Sequence, residues 1–161
     1  MSAGPNDRLM HALELIVLLL AALATGGLIV NWVGLTRAMA QLSPSTYVEF
    51  HQSTNRTFDP YMPVVVVGAI VGGVALAVAS GIHTASGRLS AFGAVCYVAV
   101  IAIGVPTCVR INKQVARWSI ENPPGDWIAV RARWIRFHVI RTLFSVPAFA
   151  LYAAAVICSS N

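Results

Sequence analysis

Four long apolar runs set the terms on which this chain can fold. They cover residues 9–40, 62–82, 89–109 and 135–157. Each reaches the ~20 residues that a helix needs to cross ~30 Å of hydrocarbon. None alternates polar and apolar residues over a barrel-length segment, so membrane strands are excluded. The valine-rich start of the second run, MPVVVVGAIVGG, would suit a strand in water. In lipid the backbone must bond to itself, and helix wins. Composition agrees: 57% of the 161 residues are apolar and 11% are charged. Soluble domains carry about 25% charged residues, so there is too little polar material here to cover a water-facing surface. The expected fold is all-α, an integral membrane four-helix bundle filling residues 1–161 as one domain. The first run continues past Gly26 and Gly27 through LIVNWVGL, which reads as a retained and tilted helix rather than a cleaved leader.

Charge is distributed unevenly about these spans. Four crossings place both termini and the short loop near His83 on one side, with Arg8 and Arg88. The two long loops fall on the other side, with nine cations: Arg37, Arg56, Arg110, Lys113, Arg117, Arg131, Arg133, Arg136 and Arg141. The positive-inside rule puts the long loops in the cytoplasm and the termini opposite, most simply in a bacterial inner membrane. The positive charge lies beside the membrane, and no phosphate-cradling glycine loop or nucleotide fingerprint accompanies it. Nucleic acid is therefore not an expected partner, and membrane lipid is. His11 and His83 read as interfacial residues. Cys96, Cys108 and Cys158 lie in apolar runs without metal-like spacing and read as small core residues. Gly68, Gly72, Gly73, Ala77 and Gly81 permit close helix contact, within the bundle or between copies in a homo-oligomer.

The long loops carry structure of their own. In the first, QLSPSTYVEFHQSTNRTFDPYMP, Ser43-Pro44 starts a helix and Asp59-Pro60 ends it. Tyr47, Phe50, His51, Thr54, Asn55 and Phe58 share one face of it, while Glu49, Gln52 and Arg56 lie elsewhere on its surface. It reads as a short amphipathic interfacial helix with its aromatic side toward the membrane or the bundle. After the third run the helix is expected to leave the bilayer through Asn112 to about Trp118. ENPPG then turns the chain, and Asp126 caps a helix that runs from Trp127 unbroken into the fourth span, with Pro147 as a point of kinking. Such a helix is ~45 Å long.

That last helix holds an unusual seam. Trp127, Arg131, Trp134, His138, Arg141 and Ser145 are spaced 4, 3, 4, 3 and 4 apart, the spacing of a face turned to a neighbouring helix. Headgroup anchoring accounts for Arg131, Arg133, Arg136 and the tryptophans. His138 and Arg141 fall deeper, where ionisable groups face a bundle interior or a wet cavity. Partners for them lie at the same end: His51 on the loop helix, Asn112 where the third helix leaves the bilayer, and Asn31 near the end of the first span. A shared chamber walled by His51, Asn112, Trp134, His138 and Arg141 is the expected site. Phe50, Asn55 and Asn31 join Trp134 as expected substrate contacts.

The run from Asn112 through KQVARW, PPGDW, RARW and FH to Arg141-Thr142, after YVEFHQSTN and MP upstream, resembles the anthrone oxygenase-like family of small four-helix membrane proteins, whose bacterial members were long classed as a domain of unknown function. The resemblance covers most of the chain, with its specificity in the first long loop and in residues 112–141. It implies O₂-dependent oxidation of a flat aromatic, anthrone-like substrate without a conventional cofactor. The matching polar positions are His51, Asn112, Trp134, His138 and Arg141. Such chemistry needs a base of near-neutral pKa, donors for a developing enolate and an apolar chamber. His51 or His138 suits the base, and Arg141 with Asn112 suits the enolate oxygen. Two other readings stand beside it. One is a metal site on His51, His138 and Glu49, although their spacing matches no metal motif. The other is a non-catalytic membrane protein whose basic face binds anionic lipid or a partner.

Overall fold

The computed structural model describes residues 4–159, so residues 1–3 and 160–161 of the expected domain lie outside the described residues. The described chain is helical throughout, with α1 at Pro5–Ala40, α2 at Pro44–Phe58, α3 at Met62–Ser80, α4 at Ala85–Val115 and α5 at Trp127–Ser159. The four helices other than α2 are long and apolar enough to cross a membrane. They pack in a ring, α1 against α3, α3 against α4, α4 against α5 and α5 back against α1. Their outward faces carry Leu15, Leu19, Leu23, Val64, Val71, Val78 and Val95, each at least half exposed. A belt of this kind has no business in water and is the surface a helical membrane bundle turns to lipid.

Chemistry at the helix ends accounts for the boundaries. Gly81 stops α3 at Ser80, two residues short of the expected limit, at φ +81°, a left-handed conformation that glycine adopts without a Cβ penalty. Thr84 then starts α4 four residues earlier than hydropathy suggested, its hydroxyl accepting the Gly87 N–H at 3.0 Å. Ser43 precedes α2 as expected, but its hydroxyl pairs with that of Thr46 at 2.7 Å rather than with a backbone N–H. The Asp126 carbonyl accepts the Val130 N–H in the first turn of α5, which continues through Pro147 to Ser159.

α1 and α4 each contain one wide turn, at Asn31–Leu35 and Val105–Val109, where the backbone follows π rather than α geometry. Pro106, which has no N–H to give, lies in the second. Each wide turn is buttressed by a threonine that donates to the carbonyl four residues back, Thr36 to Trp32 and Thr107 to Ile103. Such insertions re-aim side chains within an otherwise regular helix.

Two hydrophobic clusters fill the bundle. One, around Val17, Ala24, Leu76, Tyr97, Val100 and Tyr152, occupies the middle and the end near the termini. The other, around Met39, Tyr47, Cys108, Val115, Val130 and Trp134, lies under α2. In the first, the small residues of α3 are spent on packing inside the bundle. A Cβ on Gly73 would lie 1.9 Å from the Tyr152 hydroxyl, and one on Gly72 2.8 Å from Val17. Gly93 of α4 encloses the other side of the Tyr152 ring, whose hydroxyl donates to the Ala69 carbonyl at 2.9 Å. Of the cysteines, Cys108 is buried, Cys96 is half-buried and Cys158 is exposed, so Cys158 is no core residue.

One buried charge was not expected. Glu14 of α1 is 4% exposed at the end far from α2. Its carboxylate lies 3.1 Å from Nδ1 of the exposed His11 and accepts the Ser159 hydroxyl from α5. Those contacts tie the first helix to the last where both approach the membrane boundary.

Gly73→Ala is expected to destabilise the protein by ~1–3 kcal/mol through overpacking against Tyr152. Gly26→Ala, whose Cβ would meet nothing within 4 Å, serves as the tolerated control. Thermal unfolding of the two variants in the same lipid nanodiscs makes the comparison.

Candidate active site

The amphipathic helix α2 packs its inner face against the bundle. It folds over the ends of α1, α4 and α5 and buries Tyr47, Val48, His51 and Gln52. Gln52, expected on the outer surface, is the residue that fastens it. Its amide donates to the carbonyls of Val115 and Trp118 at 3.0 Å each. Both lie at the C-terminal end of α4, where the helix stops at Val115 rather than at Trp118 and the Val115 carbonyl also accepts the Trp118 N–H at 3.0 Å. Arg131 closes the other side, donating to the Met39 carbonyl near the end of α1 at 2.7 Å. Its guanidinium also lies 4.6 Å from the Trp127 ring and 5.6 Å from the Tyr47 ring. Arg131 and the buried Trp134 are therefore internal fasteners, not the headgroup anchors that their types suggested. Arg133 and Arg136 remain exposed.

Beneath α2 a chain of polar side chains runs from one helix to the next. The Asn112 carboxamide oxygen accepts the Trp134 indole N–H at 2.7 Å and lies 3.2 Å from His51 Nε2. Because that oxygen can only accept, His51 carries its proton on Nε2. Nδ1 is then the acceptor for the Tyr47 hydroxyl, 3.1 Å away. The Trp134 ring meets His51 edge-on at 5.1 Å and stacks on His138 at 5.0 Å with 11° between planes. His138 Nδ1 receives the Arg141 guanidinium, at 2.9 Å from Nη2 and 3.3 Å from Nε. Its Nε2–H therefore points to the Leu28 carbonyl, 3.1 Å away in the turn before the wide turn of α1. Both imidazoles are neutral in this pattern, since each needs one bare nitrogen.

Burial acts in the same direction at the loop helix. It pulls the His51 pKa from its ordinary 6.5 down to about 4, outweighing the opposing hydrogen bond to Asn112. Burial also pushes the Tyr47 phenol up, against the lowering influence of Arg131, which keeps its hydroxyl a donor.

A cavity of about 280 Å³ opens beside this chain, at the junction of the two hydrophobic clusters. Leu28, Val66, Val67, Val100 and Ile101 make most of its wall apolar, and both wide turns contribute to it through Asn31, Val105 and Val109. Asn112, Trp134, His138 and Arg141 all face it, as expected, together with Asn31 and Asn55. Two expected members, His51 and Phe50, do not, and neither does Glu49 of the alternative metal site. His51 is wholly buried behind Asn112. Phe50 packs into the upper hydrophobic cluster, and its place in the lining is taken by Phe58, two turns further along α2. Glu49 is exposed on the far face of α2. Among the described residues, no three His, Cys, Asp or Glu side chains gather as a metal would require. Met39, Asp59 and Gly104 line the cavity without having been expected. Asp59 had a legible role only as a helix stop before proline, and Gly104 is where a Cβ would come within 3.2 Å of Arg141.

Two features give the cavity chemical character. Arg141 carries five N–H donors, of which His138 takes two, and among the described residues no carboxylate pairs with it within 4.0 Å. The Asn31 carboxamide oxygen, on a residue 8% exposed, has no hydrogen-bond partner, and neither has the Asn55 amide nitrogen. A buried polar atom without a partner costs ~1–3 kcal/mol, so both are stabilised by whatever enters.

Fold and cavity together describe a helical membrane protein with a small, largely apolar chamber and, in its wall, a guanidinium bonded to an imidazole with no carboxylate within 4.0 Å among the described residues. A family model described as anthrone oxygenase matches residues 50–151, a stretch that holds every polar cavity residue named above except Asn31. The chain belongs to the anthrone oxygenase family. Nothing among the curated proteins or the solved structures matches it significantly.

Protonation of His51 sets a pH test. Its folded pKa of about 4 lies below the 6.5 of an exposed imidazole, so between those values the unfolded chain binds more protons than the folded one. This contribution to stability is complete above about pH 6.5 and is lost as the pH falls through about 4. His51→Gln is expected to flatten that part of the profile, as read from thermal unfolding across pH 4–7. An unchanged slope would mean that His51 is not held neutral by its burial.

Proposed function

We propose that this protein is a membrane-embedded oxygenase that oxidises a flat, lipophilic, anthrone-like aromatic with O₂, without a conventional cofactor. The observation that carries the reading is Arg141. It is a guanidinium in the wall of an apolar chamber, hydrogen-bonded to a neutral imidazole and not to a carboxylate. At about 280 Å³ the chamber lies at the small end of the ~300–1,000 Å³ range of ligand sites. That favours a compact fused-ring molecule over a large one. Val67 and Val105, about half exposed on the outer surface, also line the chamber, so a substrate dissolved in the bilayer has a lateral way in. The basic end of the bundle, with α2, faces the cytoplasm of a bacterial inner membrane in this reading.

The chemistry follows from what each side chain can offer. A substrate ketone oxygen takes N–H groups from Arg141 and the NH₂ group of Asn112, whose own oxygen is committed to Trp134 and His51. Drawing the guanidinium toward that oxygen releases His138 Nδ1, which accepts a proton from the activated ring methylene. The resulting enolate is stabilised by Arg141 and Asn112. It passes one electron to O₂, and the radical pair recombines as a carbon-bound peroxide. His138 returns its proton to give the hydroperoxide, which loses water to leave a carbonyl. In sum, one CH₂ and one O₂ become one C=O and one H₂O. His138 serves as the base because it lines the chamber. His51 positions Asn112, since both its nitrogens are engaged behind it.

Arg141→Gln and His138→Gln are each expected to lower kcat/KM for oxidation of an anthrone by about 10²-fold, the loss typical of a removed oxyanion donor or base. His51→Gln should cost less and leave the pH–rate profile in place. Quinone absorbance and oxygen consumption measured on reconstituted protein provide the readout. Full turnover by both the Arg141 and His138 variants would sink the proposal.

A further inference from the structure

Outside the chamber, α4 and α5 form a second feature of the basic end. Between the wide turn of α4 and the first turns of α5 runs an open groove floored by Pro106, Ile111 and Phe137 and edged by Arg110, Arg133 and Arg136. It meets a second groove at Arg110 that continues along α4 past Lys113 and Arg117. No carboxylate lines either groove. Among the described residues, none of the three arginines has an ion-pair partner within 4.0 Å. The Arg136 guanidinium lies 5.3 Å from the Phe137 ring, at the groove edge.

The height of this row along the helices identifies its occupant. Arg110 directly follows the apolar run 89–109 of α4, and Arg136 is the second residue of the apolar run 135–157 of α5. The guanidinium groups therefore stand where hydrocarbon gives way to headgroups, above an apolar floor. A ligand that satisfies both must be anionic at one end and apolar immediately below. A soluble anion would leave the floor uncovered, and an acidic protein segment has no need of a row placed at that level. Arginine suits phosphate because its planar fork offers paired N–H donors.

We propose that this groove binds the headgroup of an anionic phospholipid, with Arg110, Arg133 and Arg136 on the phosphate and Phe137 and Pro106 against the first acyl methylenes. The site is separate from the chamber, since Arg141 lines the chamber and not the groove. It stands whether or not the oxygenase reading does.

Native mass spectrometry of the full chain in detergent, titrated with phosphatidylglycerol or with phosphatidylcholine, tests it. Phosphatidylglycerol should be retained preferentially, and each of Arg110→Gln, Arg133→Gln and Arg136→Gln should weaken its binding about fivefold. Arg88→Gln, at the opposite end, should leave it unchanged. Circular dichroism checks the fold of each variant, and the three single substitutions provide independent readings should one misfold. Equal retention of the two lipids, or wild-type retention by the folded arginine variants, would overturn the site. Displacement of phosphatidylglycerol by inorganic phosphate or by a poly-glutamate peptide at equal concentration would overturn the lipid as its occupant.

Discussion

Inside hydrocarbon, a backbone or side-chain polar group must find its partner within the protein, because water is not there to supply one. The end of the bundle that holds the chamber is arranged around that obligation. The wide turns in α1 and α4 disturb the regular helix ladder, and Thr36 and Thr107 answer by bonding back to Trp32 and Ile103. The carbonyl of Leu28 is used by His138. The carbonyls of Val115 and Trp118 at the end of α4 accept from Gln52, and that of Met39 accepts from Arg131. An amphipathic helix that would otherwise float at the interface is thereby fastened as a cover.

Asn112 is the junction of this arrangement. One carboxamide oxygen accepts the indole of α5 and the imidazole of α2 while Asn112 itself belongs to α4. Three elements are registered through one atom. Because that atom accepts only, the tautomer of His51 and the orientation of Trp134 follow from it. Trp134 in turn stacks on His138, whose remaining nitrogen holds Arg141. The guanidinium in the chamber wall is thus linked, contact by contact, to the Asn112 carboxamide.

What the protein leaves unsatisfied is as informative as what it pairs. The Asn31 oxygen, the Asn55 nitrogen and the spare donors of Arg141 all border the same apolar chamber. Elsewhere in the core the hydroxyls of Thr25 and Tyr97 lie 2.7 Å apart and reach the carbonyls of Ser145 and Ala21. The buried Ser90 hydroxyl also has no partner, but Ser90 does not line the chamber.

By itself the sequence determined the four helices, the loop helix α2, and the seam of Trp127, Arg131, Trp134, His138 and Arg141, because hydropathy, proline positions and the 3.6-residue period act locally. It also marked Asn112 and His51 as belonging to the same end, through the order of crossings. Only the tertiary structure decided which of these residues meet a ligand. His51 and Phe50 share a helical face with Asn55 and Phe58, yet His51 is fully buried behind Asn112, Phe50 packs half-buried on the hydrophobic cluster under α2, and the last two line the chamber. Helical periodicity identifies a face but not how far along it the next helix ends. Gln52 looked like a surface residue because nothing local says that α4 will stop beside it. The wide turns were invisible because an insertion of one residue into a helix ladder leaves no mark on hydropathy or on the 3.6-residue period, and the threonines that bond back beside them read as ordinary helix residues.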